Sequence, residues 1–332
     1  MPRHLRYQST ERAQHLITAR CLQGYSLLRP SPQLNRTIAG CLARALEHSE
    51  GEVELHHYVI MSNHFHLIIT SYTSHAKARF MCHLSSNIAR EVCRAQRWSE
   101  HVWGGRYHSH ELVDEAALIS AYKYLFKNSV KEGLVDHPRE WPGLHGWRQL
   151  CAGEQVLGEW VERAQLFWAR QTKKGANATE RDFTRMLPVT LTRPTCWASW
   201  SEGEYRARCV EWAEEATREA REELAERWAQ ELRQRGLTRA EATLALCMVV
   251  GAQAVCAEEV FIRRAPSRSP RPLCRSGCPR RFLEYMTGYR EFKERFLEAS
   301  ARLRAAVARG RAIPQVVFPV GGVPFYVGVS MT

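Results

Sequence analysis

Residues 53–70, VELHHYVIMSNHFHLIIT, decide the fold. Residues 53–61 are rich in β-branched and aromatic side chains, Ser62-Asn63 is a turn signal, and residues 64–70 form a second run of the same kind. Two strands joined by so short a turn pair antiparallel. Working outward, residues 15–20 (HLITAR) read as an earlier strand. A helix follows Pro30 and Ser31 and runs to about Glu47, with Leu34, Ile38, Leu42 and Leu46 on one stripe. After the hairpin, residues 76–96 read as a helix. Gly104-Gly105 interrupt the chain before a strand at 106–113, and Asp114 and Glu115 open a helix that reaches about Asn128. The order β-α-β-β-α-β is that of a ferredoxin-like antiparallel sheet with helices on one face, an α+β class that hosts many functions.

The hairpin also carries chemistry. In a strand His64 and His66 point to one side and Phe65 to the other. Two imidazoles so placed can converge on one divalent ion; a pair of surface histidines on a half-exposed strand has the same pattern. Tyr124 and Asn128, four apart, share a helix face. A phenol is a poor nucleophile near neutrality and needs a cation or base beside it. A metal between His64, His66 and Asn128 would polarise a phosphodiester at the same place. Tyr124 also fits a packed aromatic, as do its neighbours Tyr122 and Phe126. His56 and His57 read as surface residues.

Of 332 residues, 45% are hydrophobic and 25% charged, which excludes chain-wide disorder and suits about two domains. The apolar run at 244–257 is broken by Gln253 and reads as a buried helix, so no membrane association is expected. The opening MPRHLRYQST has no apolar centre, and with 11 scattered cysteines the expectation is a cytoplasmic protein with free thiols, nucleoid-associated if it acts on DNA. The 47 basic against 35 acidic residues, a net charge of +12, favour a polyanionic partner.

Beyond a polar linker at 172–179 the character changes. Residues 202–235 form one long helical pattern, residues 263–281 hold seven arginines, four prolines and no acid, and a last helix runs over 282–309. We therefore expect a first domain at 1–172 and a mainly helical region at 173–332, in which Arg263, Arg264, Arg268 and Arg271 make an electrostatic DNA arm. Cys274 and Cys278 read as free or buried thiols rather than half of a zinc site. Arg106 suits a phosphate contact, Tyr107 a stacked base, and Lys123, Lys127 and Lys131 a basic stripe beside Tyr124.

Three blocks, YVIMSNHFHLII (58–69), WGGRYHS (103–109) and YLFKNSVKEGLV (124–135), together resemble the HUH single-tyrosine transposases, most of all the branch associated with repetitive extragenic palindromes (REP). In that family the first block runs close to Y-V-I-M-P-N-H-x-H-L and the last close to Y-I-x-x-N-P-V-x-A-G-L-V. The resemblance spans roughly residues 7–145. It implies that His64, His66 and Asn128 hold magnesium or manganese and that Tyr124 is the nucleophile. It implies cleavage of single-stranded DNA beside a hairpin, with a 5′-phosphotyrosine and a free 3′-hydroxyl, by a monomer or a homodimer. A non-catalytic hairpin-binding relative is the alternative, and an RNA-directed role a weaker third. Ser62 and Ser129 stand where the family has proline, and Glu132 where it has alanine; Ser129 permits the helix to run past Asn128.

Overall fold

The structure, a computed structural model, describes residues 7–171, 177–235 and 273–308. β1 (Ala13–Arg20) leads to α1 (Pro32–His48), whose first turn is capped by Ser31 Oγ, 3.1 Å from Leu34 N, with Pro32 at the first helical position. β2 (Val53–Ile60) and β3 (His64–Ser71) form the expected hairpin. α2 (Ser74–Gln96) starts on a Thr73 cap, and β4 (His108–Leu112) begins two residues later than the sequence pattern suggested. α3 (Glu115–Phe126) is capped by Asp114 and is followed, after a break at Lys127, by one further turn, α4 (Asn128–Lys131).

The strands lie in the order β2-β3-β1-β4, each neighbouring pair antiparallel. Helices cover both faces of this sheet, not one. α1 and α2 bury Leu34, Ile38, Leu42, Phe80 and Leu84 against Ile17, Phe65 and Leu67 on one side. α3 buries Leu118, Leu125 and Phe126 against Leu16, Val59 and Ile68 on the other. Each such side chain contributes about 1.5–3 kcal/mol. The reason lies in the consecutive apolar residues Tyr58, Val59 and Ile60 of β2 and Leu67, Ile68 and Ile69 of β3, which turn apolar side chains to both faces and so need cover on both sides. His56 and His57 are buried for the same reason, against the expectation that they lie at the surface. A bulge between Leu55 and His57 inserts His56 as an extra residue, and its ring lies 2.6 Å from both Thr70 Oγ1 and Thr192 O.

The chain continues through α5 (Trp147–Leu150), β5 (Leu157–Val161), α6 (Arg163–Arg170) and β6 (Thr184–Pro188). β5 and β6 pair antiparallel, so hydrogen-bonded strands lie on either side of the boundary expected at 172–173. β5 packs against α1 so closely that a Cβ on Gly40 would stand 2.0 Å from Glu159 O. α7 (Glu202–Arg235) buries Tyr205, Cys209, Trp212 and Ala216 in the cluster beneath α3. β7 (Cys274–Arg275) adds a parallel fifth strand beside β4, and α8 (Pro279–Ala308) follows. The end of the arginine-rich segment is thus ordered structure, although the sequence shows no periodicity there. Every cysteine among the described residues is free. No helix among the described residues is long and apolar enough to cross a membrane.

Candidate active site

The sheet face beneath α3 collects one row of side chains from each element. On β1, alternation turns Leu16, Thr18 and Arg20 to this side; on β3 it turns His64, His66 and Ile68. The antiparallel register sets Thr18 opposite His66 and Arg20 opposite His64. His66 is buried, and its Nδ1 lies 2.8 Å from Thr18 Oγ1. His64 is half-buried, with Nδ1 2.7 Å from Asn63 Oδ1. Their rings meet edge to face at 4.9 Å. Each imidazole is therefore held at Nδ1, which fixes the orientation of its ring.

α3 brings Tyr124 to this pair. Its hydroxyl lies 3.4 Å from His66 Nε2, a long hydrogen bond, and the two rings stand edge to face with centroids 5.1 Å apart. Asn128 follows at the start of α4, fully buried, and neither its amide oxygen nor its amide nitrogen has a hydrogen-bond partner among the described residues. A buried amide without a partner is costly, which makes Asn128 a candidate ligand position.

The charges around these groups have one sign. Burial lowers the pKa of His66 well below the usual value, and His64, Lys131, Arg20 and Arg275 lower it further. His66 is therefore neutral near pH 7, the form that binds a metal or accepts a proton. Lys131 Nζ lies 4.2 Å from the centre of the Tyr124 ring, and Arg275 Cζ 5.5 Å. Both fall within cation–π range. Among the described residues no three His, Cys, Asp or Glu side chains come together as a metal-binding group. The two imidazoles could serve as donors to a divalent ion, and the Asn128 amide oxygen is the third donor expected from sequence. Borderline nitrogen with hard oxygen suits such an ion, and a phosphate oxygen would complete it.

The other residues singled out from sequence separate. Lys131 faces Tyr124, but Lys123 and Lys127 do not share its position. Lys123 Nζ lies 2.7 Å from Glu215 and Lys127 Nζ 2.8 Å from Glu223, both carboxylates on α7. Tyr107 packs on the cluster of α1 and α2, away from Tyr124, and Arg106 is exposed just before β4. Arg263, Arg264, Arg268 and Arg271 lie outside the described residues. Cys274 is buried with Tyr285, Tyr289 and Phe292, and Cys278 is half-buried. Sequence reading missed Thr18, Arg20 and Arg275. Strand alternation carried a signal for the first two, since they share the parity of Leu16. For Arg275 there was none, because nothing local pairs β7 with β4.

No protein-family description matches this chain, and no curated protein matches it. Among solved structures it is similar to that of the REP-associated tyrosine transposase bound to a REP hairpin, with 20% identity and a TM-score of 0.34 over 46% of this chain and 86% of that one. It is also similar to the 1.90 Å crystal structure of a Deinococcus radiodurans R1 protein assigned to the transposases, with 19% identity and a TM-score of 0.27 over 38% of this chain and 95% of that one.

Proposed function

We propose that the chain is a metal-dependent single-stranded DNA endonuclease and strand transferase with Tyr124 as nucleophile, acting at hairpin DNA of the kind used in transposition. The strand order β2-β3-β1-β4 with its interleaved helices supports a ferredoxin-like reading of the sheet, in which the histidine pair sits on the strand next to the centre and the tyrosine on a helix above it. The observation that carries the proposal is the approach of the Tyr124 hydroxyl to His66 Nε2 at 3.4 Å, with His64 beside it on the same strand face.

In this reading Tyr124 Oη forms a bond to phosphorus while the bond to the 3′-oxygen breaks. The phenol proton passes to water, and the departing 3′-oxygen takes one from it. The products are a 5′-phosphotyrosine and a free 3′-hydroxyl. One phosphoester replaces another, so the step runs in reverse when a 3′-hydroxyl attacks the link, and no ATP is required. Magnesium or manganese held by His64, His66 and Asn128 would polarise a non-bridging phosphate oxygen. Thr18 and Asn63 fix the imidazoles, and Lys131 and Arg20 draw the phosphate backbone to the nucleophile.

The test is capture of protein–DNA adducts that survive detergent, using a library of hairpin oligonucleotides with randomised single-stranded flanks and Mg²⁺ or Mn²⁺. Wild-type protein is expected to form an adduct that Tyr124→Phe and excess chelator each abolish, with the variant still binding the recovered hairpin. Binding without any adduct from wild-type protein would instead indicate a non-catalytic hairpin-binding protein. A preference for matched RNA hairpins would indicate an RNA-directed one.

A further inference from the structure

The C-terminal region reaches the candidate nucleophile through one residue. β7 lies parallel to β4 with Cys274 opposite Glu111 and Arg275 opposite Leu112. Backbone bonds at either end hold it there: Glu111 N donates to Leu273 O at 3.3 Å, and Val113 N donates to Arg275 O at 3.1 Å. Alternation then sends the two side chains to opposite faces. Cys274 enters the cluster of Tyr285, Tyr289 and Phe292, and Arg275 goes to the face of Leu112 and α3, where its guanidinium stands over the Tyr124 ring.

The strand is tied down beside the start of the tyrosine helix. Asp114, which caps α3 by accepting from Ala117 N at 2.8 Å, also accepts from Ser276 Oγ, from Gly277 N at 3.1 Å and from Cys278 N at 3.2 Å. One carboxylate therefore fixes both the helix that carries Tyr124 and the turn that follows Arg275. The guanidinium itself is half-buried and has no carboxylate within ion-pair distance among the described residues. Most other arginines that the fold packs closely are neutralised, as Arg163 is by Glu91 at 2.7 Å. A half-buried guanidinium without an anion, standing with Lys131 over the Tyr124 ring, is a fork that suits a phosphate.

We propose that Arg275 is a catalytic residue contributed by the C-terminal region, its guanidinium binding the non-bridging oxygens of the phosphodiester that Tyr124 attacks. The inference rests on Tyr124 as nucleophile. It makes the region beyond residue 172 part of the active site rather than an accessory to it. Arg275 forms and breaks no covalent bond; its charge offsets that which develops on the phosphoryl oxygens in the transfer.

The experiment uses the full chain and the hairpin oligonucleotide recovered as an adduct from the library. Single-turnover adduct formation is measured at saturating DNA for wild type, Tyr124→Phe, Arg275→Ala and Arg275→Lys, with hairpin affinity measured in parallel. Arg275→Ala is expected to slow adduct formation about 100-fold, the scale for loss of one transition-state donor. Hairpin affinity is expected to change by less than about threefold, the signature of an interaction made in the transition state. Arg275→Lys should keep part of the rate, and added millimolar guanidinium should restore part of it to Arg275→Ala while urea does not. If wild type forms no adduct that Tyr124→Phe abolishes, the reading of the site fails and this inference with it. If that adduct forms and Arg275→Ala equals wild type, this inference alone fails. A loss that neither guanidinium nor lysine relieves would mean that Arg275 only packs the strand, which also overturns it.

Discussion

Thr18 Oγ1 lies 2.8 Å from His66 Nδ1, both buried on the sheet face beneath α3. The pair is set by register, since β1 and β3 place these two residues directly opposite each other. With Nδ1 held, His66 presents Nε2 towards Tyr124, and the ring cannot turn without losing a buried hydrogen bond.

Thr18→Val keeps the shape of the side chain and removes the hydroxyl. Loss of a group that orients a metal-binding imidazole costs about 10–100-fold in activity. Adduct formation by this variant is expected to fall within that range, with stability reduced by about 1–3 kcal/mol for the unpartnered Nδ1. Single-turnover kinetics and urea unfolding measure the two effects separately. Unchanged kinetics would mean that the imidazole is oriented by something else.

Lys131, Lys123 and Lys127 lie along one stretch of chain but meet different partners. Lys123→Ala and Lys127→Ala remove charges that Glu215 and Glu223 already offset, so each is expected to leave hairpin affinity within about twofold, since exposed pairs contribute little. Lys131→Ala should weaken binding and lower the slope of log affinity against log salt by about one. Salt titrations of hairpin binding for the three variants decide the matter.

Asp114 ties α3 to the segment after β7. Burial raises its carboxyl pKa, but the hydrogen bonds from Ser276, Ala117, Gly277 and Cys278 outweigh this and hold it below the ordinary value. The carboxylate's contribution to stability is thus fully present above the unfolded pKa of about 3.9 and is lost as pH falls through the lower folded value. Asp114→Ala is expected to cost at least the 1 kcal/mol or so of an N-cap and to expose residues 273–278 to protease. Urea melts at neutral pH and limited proteolysis of wild type and variant provide the check.

His56 gives a pH dependence of the same sign, but at higher pH. Burial pushes its pKa down to about 4, with the Thr192 carbonyl opposing and Arg12 adding to the shift. The folded state therefore excludes a proton that the unfolded chain takes up below about 6.5. Stability should fall as pH drops from about 6.5 towards 4, by roughly 1.4 kcal/mol per pH unit for each such group. His145, held down to about 3 by burial, adds to the same slope. Replacing His56 by Gln should flatten the slope by up to one proton. Denaturant midpoints at several pH values measure it, and an identical slope in the variant would remove His56 from the account.

Much of this arrangement could be read in the residues. The hairpin at 53–70, the caps Ser31 and Asp114, and the stripe Leu34, Ile38 and Leu42 appear as read. His64 and His66 share a face because strand alternation is a local rule. The burial of His56 and His57 was hidden because a bulge breaks that alternation and because cover on the second face comes from elements distant in sequence. Lys123, Lys127 and Lys131 were expected as one stripe beside Tyr124, but only Lys131 stands over its ring, because the partners of the other two on α7 lie far along the chain.

The sequence alone determined which groups exist and which neighbours within a strand or turn share a side, because backbone geometry imposes periods of two and 3.6 whatever the surroundings. Tertiary structure alone decided which of those groups meet. Register set Thr18 against His66, packing of α3 on the sheet set Tyr124 against His66, and parallel pairing of β7 with β4 carried Arg275 to Tyr124. Such contacts arise from burying apolar faces against one another, a global optimum that no local stretch of chain encodes.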